Sequence, residues 1–211
     1  MMRIMDFSRT WRALVAVVGA SVMFAGCSPD SSDTKQGDPL PTASVTGKMV
    51  CGFVSEESIV TALGTRDFSL GGAKRDLRGS AKNEDGSKLN LAGCSAYTKD
   101  APSKALDVSV GQIGVIPRWD SIVPTRLAQG GLDFVFPKEE GEGFATVDES
   151  NGYAAISHLI VGDWHFFVSI SPTVKGRNAV QDAVALTRQA VTQLDLPKSG
   201  KLPRPTPTPA S

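Results

Sequence analysis

The two histidines of the chain, His158 and His165, are the side chains best suited to acid–base or metal chemistry. Each lies in a segment of alternating apolar residues, and the Gly162-Asp163 pair between these segments is typical of a two-residue β-turn. That turn predicts that Ile160 faces His165, which makes the histidines diagonal neighbours on one sheet face, about 7–8 Å apart. An acid–base or metal role is open to them, but two histidines without a third ligand favour ordinary surface or half-buried side chains.

Two consecutive strands, residues 153–161 and 164–171, would position these histidines, because apolar residues alternate along both of them. One face of the resulting ribbon is apolar and predicts a core face, whereas the other is half apolar and half polar. The core face carries Leu159, Val161, Trp164, Phe166, Val168 and Ile170. The second face carries Ile156, His158, Ile160, His165, Phe167 and Ser169.

Sequence motifs of known catalytic chemistry are absent: there is no Gly-x-Ser-x-Gly, no His-Glu-x-x-His and no glycine-rich phosphate loop. The acids Glu139, Glu140 and Glu142 lack the spacing of a calcium-binding loop and are typical of solvated side chains. Catalytic triads can form without local motifs, so an enzyme is not excluded. The sequence nevertheless gives no reason to propose a catalytic residue, a metal or a cofactor.

The N-terminal segment has the three parts of a secretory signal. Arg3, Arg9 and Arg12 stand against a single acid, an uncharged apolar run covers residues 13–24, and small residues follow it. A permanent transmembrane helix needs about 20 apolar residues, so this run is short for one. Residues 1–26 are therefore predicted to be a signal peptide.

The end of this segment, Phe24-Ala25-Gly26-Cys27, resembles the bacterial lipobox, with Phe24 where leucine is usual. The resemblance implies that a diacylglycerol is attached to the sulfur of Cys27 and that Cys27 becomes the first mature residue. It implies a protein held by this lipid at the outer face of a bacterial cell membrane. Residues 27–48 are rich in Pro, Ser and Thr and predict a disordered tether.

The charge balance argues against nucleic-acid binding. The chain has 22 basic and 22 acidic residues, and removing residues 1–26 takes three arginines and one aspartate, which leaves a formal charge of −2. Nucleic-acid-binding proteins usually carry a basic excess or a basic stripe. The expected partners are therefore the membrane, through the anchor, and a cell-wall, lipid or protein ligand.

Two cysteines, Cys51 and Cys94, remain once Cys27 is assigned to lipid, and an even pair in an exported protein suggests one disulfide. Two buried free thiols are the alternative. The segments Cys51-Gly52-Phe53, Ala62-Leu63-Gly64 and Gly93-Cys94-Ser95 are similar to those of a group of actinobacterial lipoproteins with domains of unknown function. That resemblance, which covers roughly residues 51–97, implies a Cys51–Cys94 bridge and no activity.

The pattern of residues 49–196 predicts a single α+β domain: an antiparallel, twisted sheet of about five to seven strands with packed helices. A Mog1/PsbP-like α-β-α sandwich, as in some actinobacterial lipoproteins, is one candidate. Residues 71–88 predict a charged surface loop, and residues 197–211 a disordered, Pro-rich tail. The remaining expected strands are 89–97, 106–111, 132–136 and 144–148, and the expected helices are 55–64, 124–129 and a long C-terminal helix, 178–194.

These features favour a tethered binding or accessory module of the cell envelope over an enzyme. The anchor, the tether and the lack of catalytic motifs support a binding module. The alternative is a small cell-envelope enzyme that uses His158 or His165 as its acid or base. An apolar concavity would favour binding, whereas a histidine hydrogen-bonded to a carboxylate in a cleft would favour catalysis.

Overall fold

The structure, a computed structural model, describes residues 37–42, 47–73, 81–82, 88–89, 91–99, 103–114 and 117–196 of the 211-residue chain. The predicted signal peptide, Cys27 and the predicted C-terminal tail lie outside the described residues. Within these ranges, no helix is both long enough and apolar enough to cross a membrane.

Eleven strands and three α-helices follow one another along the described chain. In order they are β1 (Met49–Val50), β2 (Val54–Ser55), α1 (Glu56–Leu63), β3 (Phe68–Ala73), β4 (Ala81–Lys82), β5 (Lys88–Leu89), β6 (Leu91–Thr98), β7 (Leu106–Gln112), α2 (Pro117–Gln129), β8 (Phe134–Val135), β9 (Glu142–Asp148), a short 3-10 helix (Glu149–Asn151), β10 (Tyr153–Val161), β11 (Trp164–Ile170) and α3 (Ala179–Leu194).

The main sheet has seven antiparallel strands in the order β3-β6-β7-β11-β10-β9-β8. Two small ribbons, β1-β2 and β4-β5, accompany it. The predicted α+β class and the range of five to seven strands are confirmed. The long C-terminal helix is also confirmed, and it begins after Asn178, whose side chain accepts a hydrogen bond from the Gln181 backbone as an N-cap.

Several of the predicted boundaries are wrong, among them those of the second helix and of the charged loop. Strand β9 begins at Glu142 rather than at residue 144, and β8 covers only Phe134–Val135 of the predicted strand 132–136. The second helix begins at Pro117, not at the predicted start, Pro124, which lies inside it. Residues 71–73 of the predicted surface loop 71–88 belong to the edge strand β3, and β4 pairs with β5 inside the same stretch. Gly72 allows β3 to form, because a Cβ there would lie 2.3 Å from the carbonyl oxygen of Gly93.

The sheet buries both of its faces, which creates two separate apolar cores. Helices α1 and α3 cover the first face, where Phe53, Leu159, Phe166 and Leu186 are among the buried side chains. Helix α2 covers the second face and forms a smaller core. That core contains Ile113, Val123, Phe144, Ile156 and Ile160. The layers are therefore helix, sheet and helix.

Residues 37–42 fall within the segment predicted as a tether, but in the structure they pack on the domain. Leu40 is 5% exposed and belongs to the larger core. The backbone of Gly37 donates to the Gly176 carbonyl at 2.7 Å, and the side-chain amide of Gln189 donates to the Pro41 carbonyl at 2.6 Å. The folded domain therefore begins earlier than residue 49.

A disulfide between Cys51 and Cys94 joins the β1-β2 hairpin to the sheet, with Cα atoms 5.5 Å apart. The predicted bridge is thus confirmed. Cys51 lies in the hairpin turn with φ at 53°, and Gly52 follows at 79°. The backbone N–H of Phe53 closes that turn on the Val50 carbonyl at 3.3 Å. Two consecutive positive φ values of this kind define a type I′ turn.

Reduction of the disulfide should lower the melting temperature by roughly 10 °C or more. The bridge joins cysteines 43 positions apart, and closing a loop of that size stabilises a domain by about 4 kcal/mol in the chain-entropy model. Scanning calorimetry of oxidised and reduced protein in a Cys27→Ala background measures the change. An unchanged melting temperature, with both remaining thiols shown to be labelled, would contradict the prediction.

Candidate functional site

The two histidines meet on the second face of the sheet. The β10-β11 register is the predicted one, with Ile160 opposite His165 and Val161 opposite Trp164. The diagonal placement brings His158 Nδ1 to 3.0 Å from His165 Nε2. Because the two nitrogens are hydrogen-bonded, one ring donates its proton and the other accepts it.

Both rings are buried, with exposures of 4% for His158 and 1% for His165. The expectation of surface or half-buried histidines is therefore wrong. Its physical cause is helix α2, which is longer than predicted and covers this part of the sheet. Aromatic neighbours complete the surroundings of His158, with the Phe167 ring centroid at 4.8 Å and that of Phe144 at 5.3 Å.

Burial keeps both imidazoles neutral. It lowers the pKa of His158 well below its ordinary value of 6.5, and the neighbouring His165 and Arg126 lower it further. Burial also lowers the pKa of His165, to about 4. A neutral imidazole with so low a pKa is a weak base near neutral pH, and the polar partner of His158 is another imidazole rather than a carboxylate.

A pocket of about 610 Å³ opens beside His158, between α2 and the β9-β10 end of the sheet. Its walls combine apolar side chains with polar ones contributed by α2, β9, β10 and the 3-10 helix. The apolar lining consists of Ile122, Phe144, Ile156 and Phe167, and the polar lining of Arg126, Asp148, Ser150, Asn151, Tyr153 and His158. A volume of this size and this mixed lining are typical of small-molecule sites.

Arg126 lies over the Phe144 ring, with its guanidinium carbon 5.9 Å from the ring centroid. Within the described residues, no carboxylate oxygen approaches its guanidinium to within 4.0 Å. Arg126 therefore brings a positive charge to the pocket that none of the described carboxylates contacts directly.

Asp148 is the acidic side chain of the pocket, and its own neighbours hold it. It accepts hydrogen bonds from Ser150 Oγ at 2.7 Å and from Asn151 Nδ2 at 2.8 Å. Burial raises the pKa of Asp148, but these hydrogen bonds and the charge of Arg126 outweigh burial and keep the pKa below its ordinary value. The carboxylate is therefore ionised near neutral pH.

A second concavity, of about 760 Å³, lies beside the N-terminus of α3. Its arginine, Arg177, already forms an ion pair with Asp182 and donates to the Asp38 carbonyl at 3.2 Å. No histidine lines it. The smaller pocket beside His158 is the better candidate. It is lined by a histidine, and the guanidinium of its arginine has no carboxylate partner among the described residues.

Glu140, one of the acidic residues 139–142, is held by an arginine. Arg188 donates to both carboxylate oxygens of Glu140, at 2.7 and 2.8 Å. Across the described residues, no three His, Cys, Asp or Glu side chains are grouped to hold a metal ion. The histidine pair likewise has no third ligand in this part of the chain.

Sequence reasoning found the histidines but missed Arg126, Asp148 and Tyr153. Arg126 lies in the segment predicted as a short helix, but nothing in the local sequence distinguishes it from a solvated arginine.

A comparison with protein families and with curated proteins gave no match to this chain.

The histidine pair should make stability fall as the pH falls from about 6.5 towards 4. The pKa of His165 is 6.5 in an unfolded chain and about 4 in the fold. The unfolded state therefore binds protons first, and stability that is complete above pH 6.5 is lost below it. For His165 alone the loss reaches about 3 kcal/mol, and His158 adds to it.

Urea unfolding at pH 7.5, 6, 5 and 4 measures this loss. The control is the His158→Phe/His165→Phe double variant, which replaces the hydrogen-bonded pair by two apolar rings and removes both titrating groups. Carboxylates titrate in both proteins, so the difference between the two curves isolates the histidines. Curves that fall in parallel would contradict the prediction.

Proposed function

We propose that the chain is a lipid-anchored extracytoplasmic protein whose folded domain is a binding or accessory module of the cell envelope. The observation that carries the binding part is the pocket between α2 and the sheet, which contains a neutral imidazole and an arginine that no carboxylate of the described residues contacts. The anchor part is supported by the sequence Phe24-Ala25-Gly26-Cys27 and the signal before it.

The packing of residues 37–42 bears on how such an anchor would hold the domain. Because Gly37 already contacts Gly176, nine residues, 28–36, separate Cys27 from the domain. Even fully extended, this stretch spans at most about 35 Å. A lipid on Cys27 would therefore keep the domain close to the membrane, where ligands of the cell envelope are available.

A small cell-envelope enzyme is the second candidate, and one observation favours it. His158 lines the pocket and is hydrogen-bonded to His165 behind it, so the pair links a cavity to a buried proton-accepting group. Two observations weigh against it: the pKa of both imidazoles is lowered, and the hydrogen-bond partner of His158 is no carboxylate. Binding is the function that this geometry supports better.

Cys27→Ala should abolish lipid attachment, because it removes the sulfur that would be acylated. The wild-type chain should incorporate labelled palmitate and sediment with membranes when expressed in an actinobacterial host. The variant should incorporate none. Cys51→Ser/Cys94→Ser is the control, since it keeps Cys27 and should still be labelled. Equal labelling of wild type and Cys27→Ala would refute the anchor.

Mass spectrometry of molecules that co-purify with the full chain tests the pocket. Ser150→Trp should reduce the bound molecule at least tenfold, because it places a large ring at an exposed position of the pocket wall. Thr65→Trp, outside the pocket, should retain it. A molecule that Ser150→Trp retains would refute binding at this site. A molecule that wild type releases chemically altered, and His158→Ala retains unaltered, would instead establish the enzyme.

A further inference from the structure

We propose that the pocket beside His158 is specific for a small aromatic monocarboxylate, whose carboxylate pairs with Arg126 and whose ring packs on Phe167, above the buried rings of Phe144 and His158. This inference rests on the binding function proposed above and names its ligand class. Three features of the pocket lead to it. They are Arg126, whose guanidinium contacts no described carboxylate, Asp148, whose carboxylate is already hydrogen-bonded, and the aromatic wall.

Arg126 supplies the first feature. Its guanidinium lies against the Phe144 ring and has no carboxylate within 4.0 Å among the described side chains. A guanidinium presents several N–H donors in a planar fork that fits a carboxylate. By contrast, Arg177 in the larger concavity uses the same fork on Asp182. No carboxylate in the described part of the chain occupies the fork of Arg126, which is the donor group in the pocket best suited to a ligand anion.

Asp148 limits which ligand charges the pocket favours. Hydrogen bonds from Ser150 and Asn151 hold this carboxylate, and the lowered pKa keeps it ionised. A cationic ligand would gain little there, because the acceptor already has its donors. A doubly charged phosphate would bring two negative charges near Asp148 against one positive charge on Arg126. A singly charged carboxylate balances Arg126 with the least repulsion.

The rings that surround His158 indicate the body of the ligand. The centroids of Phe167 and Phe144 lie 4.8 and 5.3 Å from that of His158, and all three residues line the pocket. Phe144 and His158 are buried, whereas Phe167 is half-buried and presents its ring to the pocket. A planar ligand ring would therefore pack on Phe167, because ring pairs are favourable beyond the area they bury. His158 stays neutral and uses Nδ1 on His165, so charge selection falls to Arg126 rather than to a histidine.

Titration of the full chain in detergent with 3-phenylpropionate, followed by nuclear magnetic resonance of ¹³C-labelled histidine, tests the proposal. The chain has two histidines, so the His158 ring signal reports directly on the pocket. The neutral isostere 3-phenylpropionamide is the matched probe. We expect a saturable shift of the His158 signal with the acid, and binding of the amide at least tenfold weaker, because it lacks the charge-assisted bonds to Arg126.

Variants separate the role of Arg126 from general effects on the fold. Arg126→Met should weaken the acid at least tenfold and leave the affinity for the amide within about threefold. Arg66→Met, which removes a solvent-exposed arginine paired with Glu57, should change neither affinity. Asp148→Asn should strengthen the acid several-fold, and it provides the test if Arg126→Met does not fold.

Equal affinities for acid and amide, or an acid affinity that neither Arg126→Met nor Asp148→Asn changes, would overturn the proposal. These outcomes differ from a failure of the binding function itself. A neutral or cationic molecule that co-purifies with wild type but not with Ser150→Trp would uphold the binding module and refute the carboxylate. If no molecule co-purifies and neither probe shifts the His158 signal, both proposals fail.

Discussion

The register of the β10-β11 hairpin is the constraint on which both faces of the domain depend. Gly162 adopts φ of 59° in the two-residue turn, and the strands on either side are the fourth and fifth of the seven-stranded sheet. Because side chains alternate with a period of two, a slip of one residue would exchange the two faces. It would place His158 in the large core and expose Leu159 to the smaller one.

Burying two imidazoles on the second face requires that each satisfies the other. An unpaired polar ring in an apolar core costs about as much as a lost hydrogen bond, and a charged one costs far more. The 3.0 Å bond between His158 and His165 satisfies one ring nitrogen of each, and the lowered pKa values keep both rings uncharged at neutral pH. Because the histidines are neutral, they contribute no charge to the pocket. Its charged lining residues are Arg126 and Asp148.

The sequence predicts this part of the fold well because its signals there are local and agree with one another. Strict alternation, a two-residue turn and the N-cap at Asn178 each define one element or one register. The misses arise where long-range contacts decide. The predicted start of α2 was Pro124, but the helix begins at Pro117, where proline suits the first helical position, and it packs on β9 and β10. Gly72 weakens the local strand signal but is required by the close approach of β6.

The candidate site was only half predictable for the same reason. The turn at Gly162 brings the histidines together, whereas the pairing of Arg126 with a cavity depends on how α2 crosses β9 and β10, which no local pattern specifies. The likeness to a Mog1/PsbP-type sandwich and the lipid anchor stay predictions.

Residues 37–42 connect the anchor to the geometry of the site, because a single buried leucine changes the character of a polar segment. Composition alone predicts a tether here, but Leu40 belongs to the larger core. Arg177 and Gln189 donate hydrogen bonds to backbone carbonyls of the same segment. The chain therefore joins the domain on the α3 face. The pocket lies under α2, on the opposite face of the sheet. The segment that leads towards Cys27 therefore meets the domain on the face that lacks the pocket.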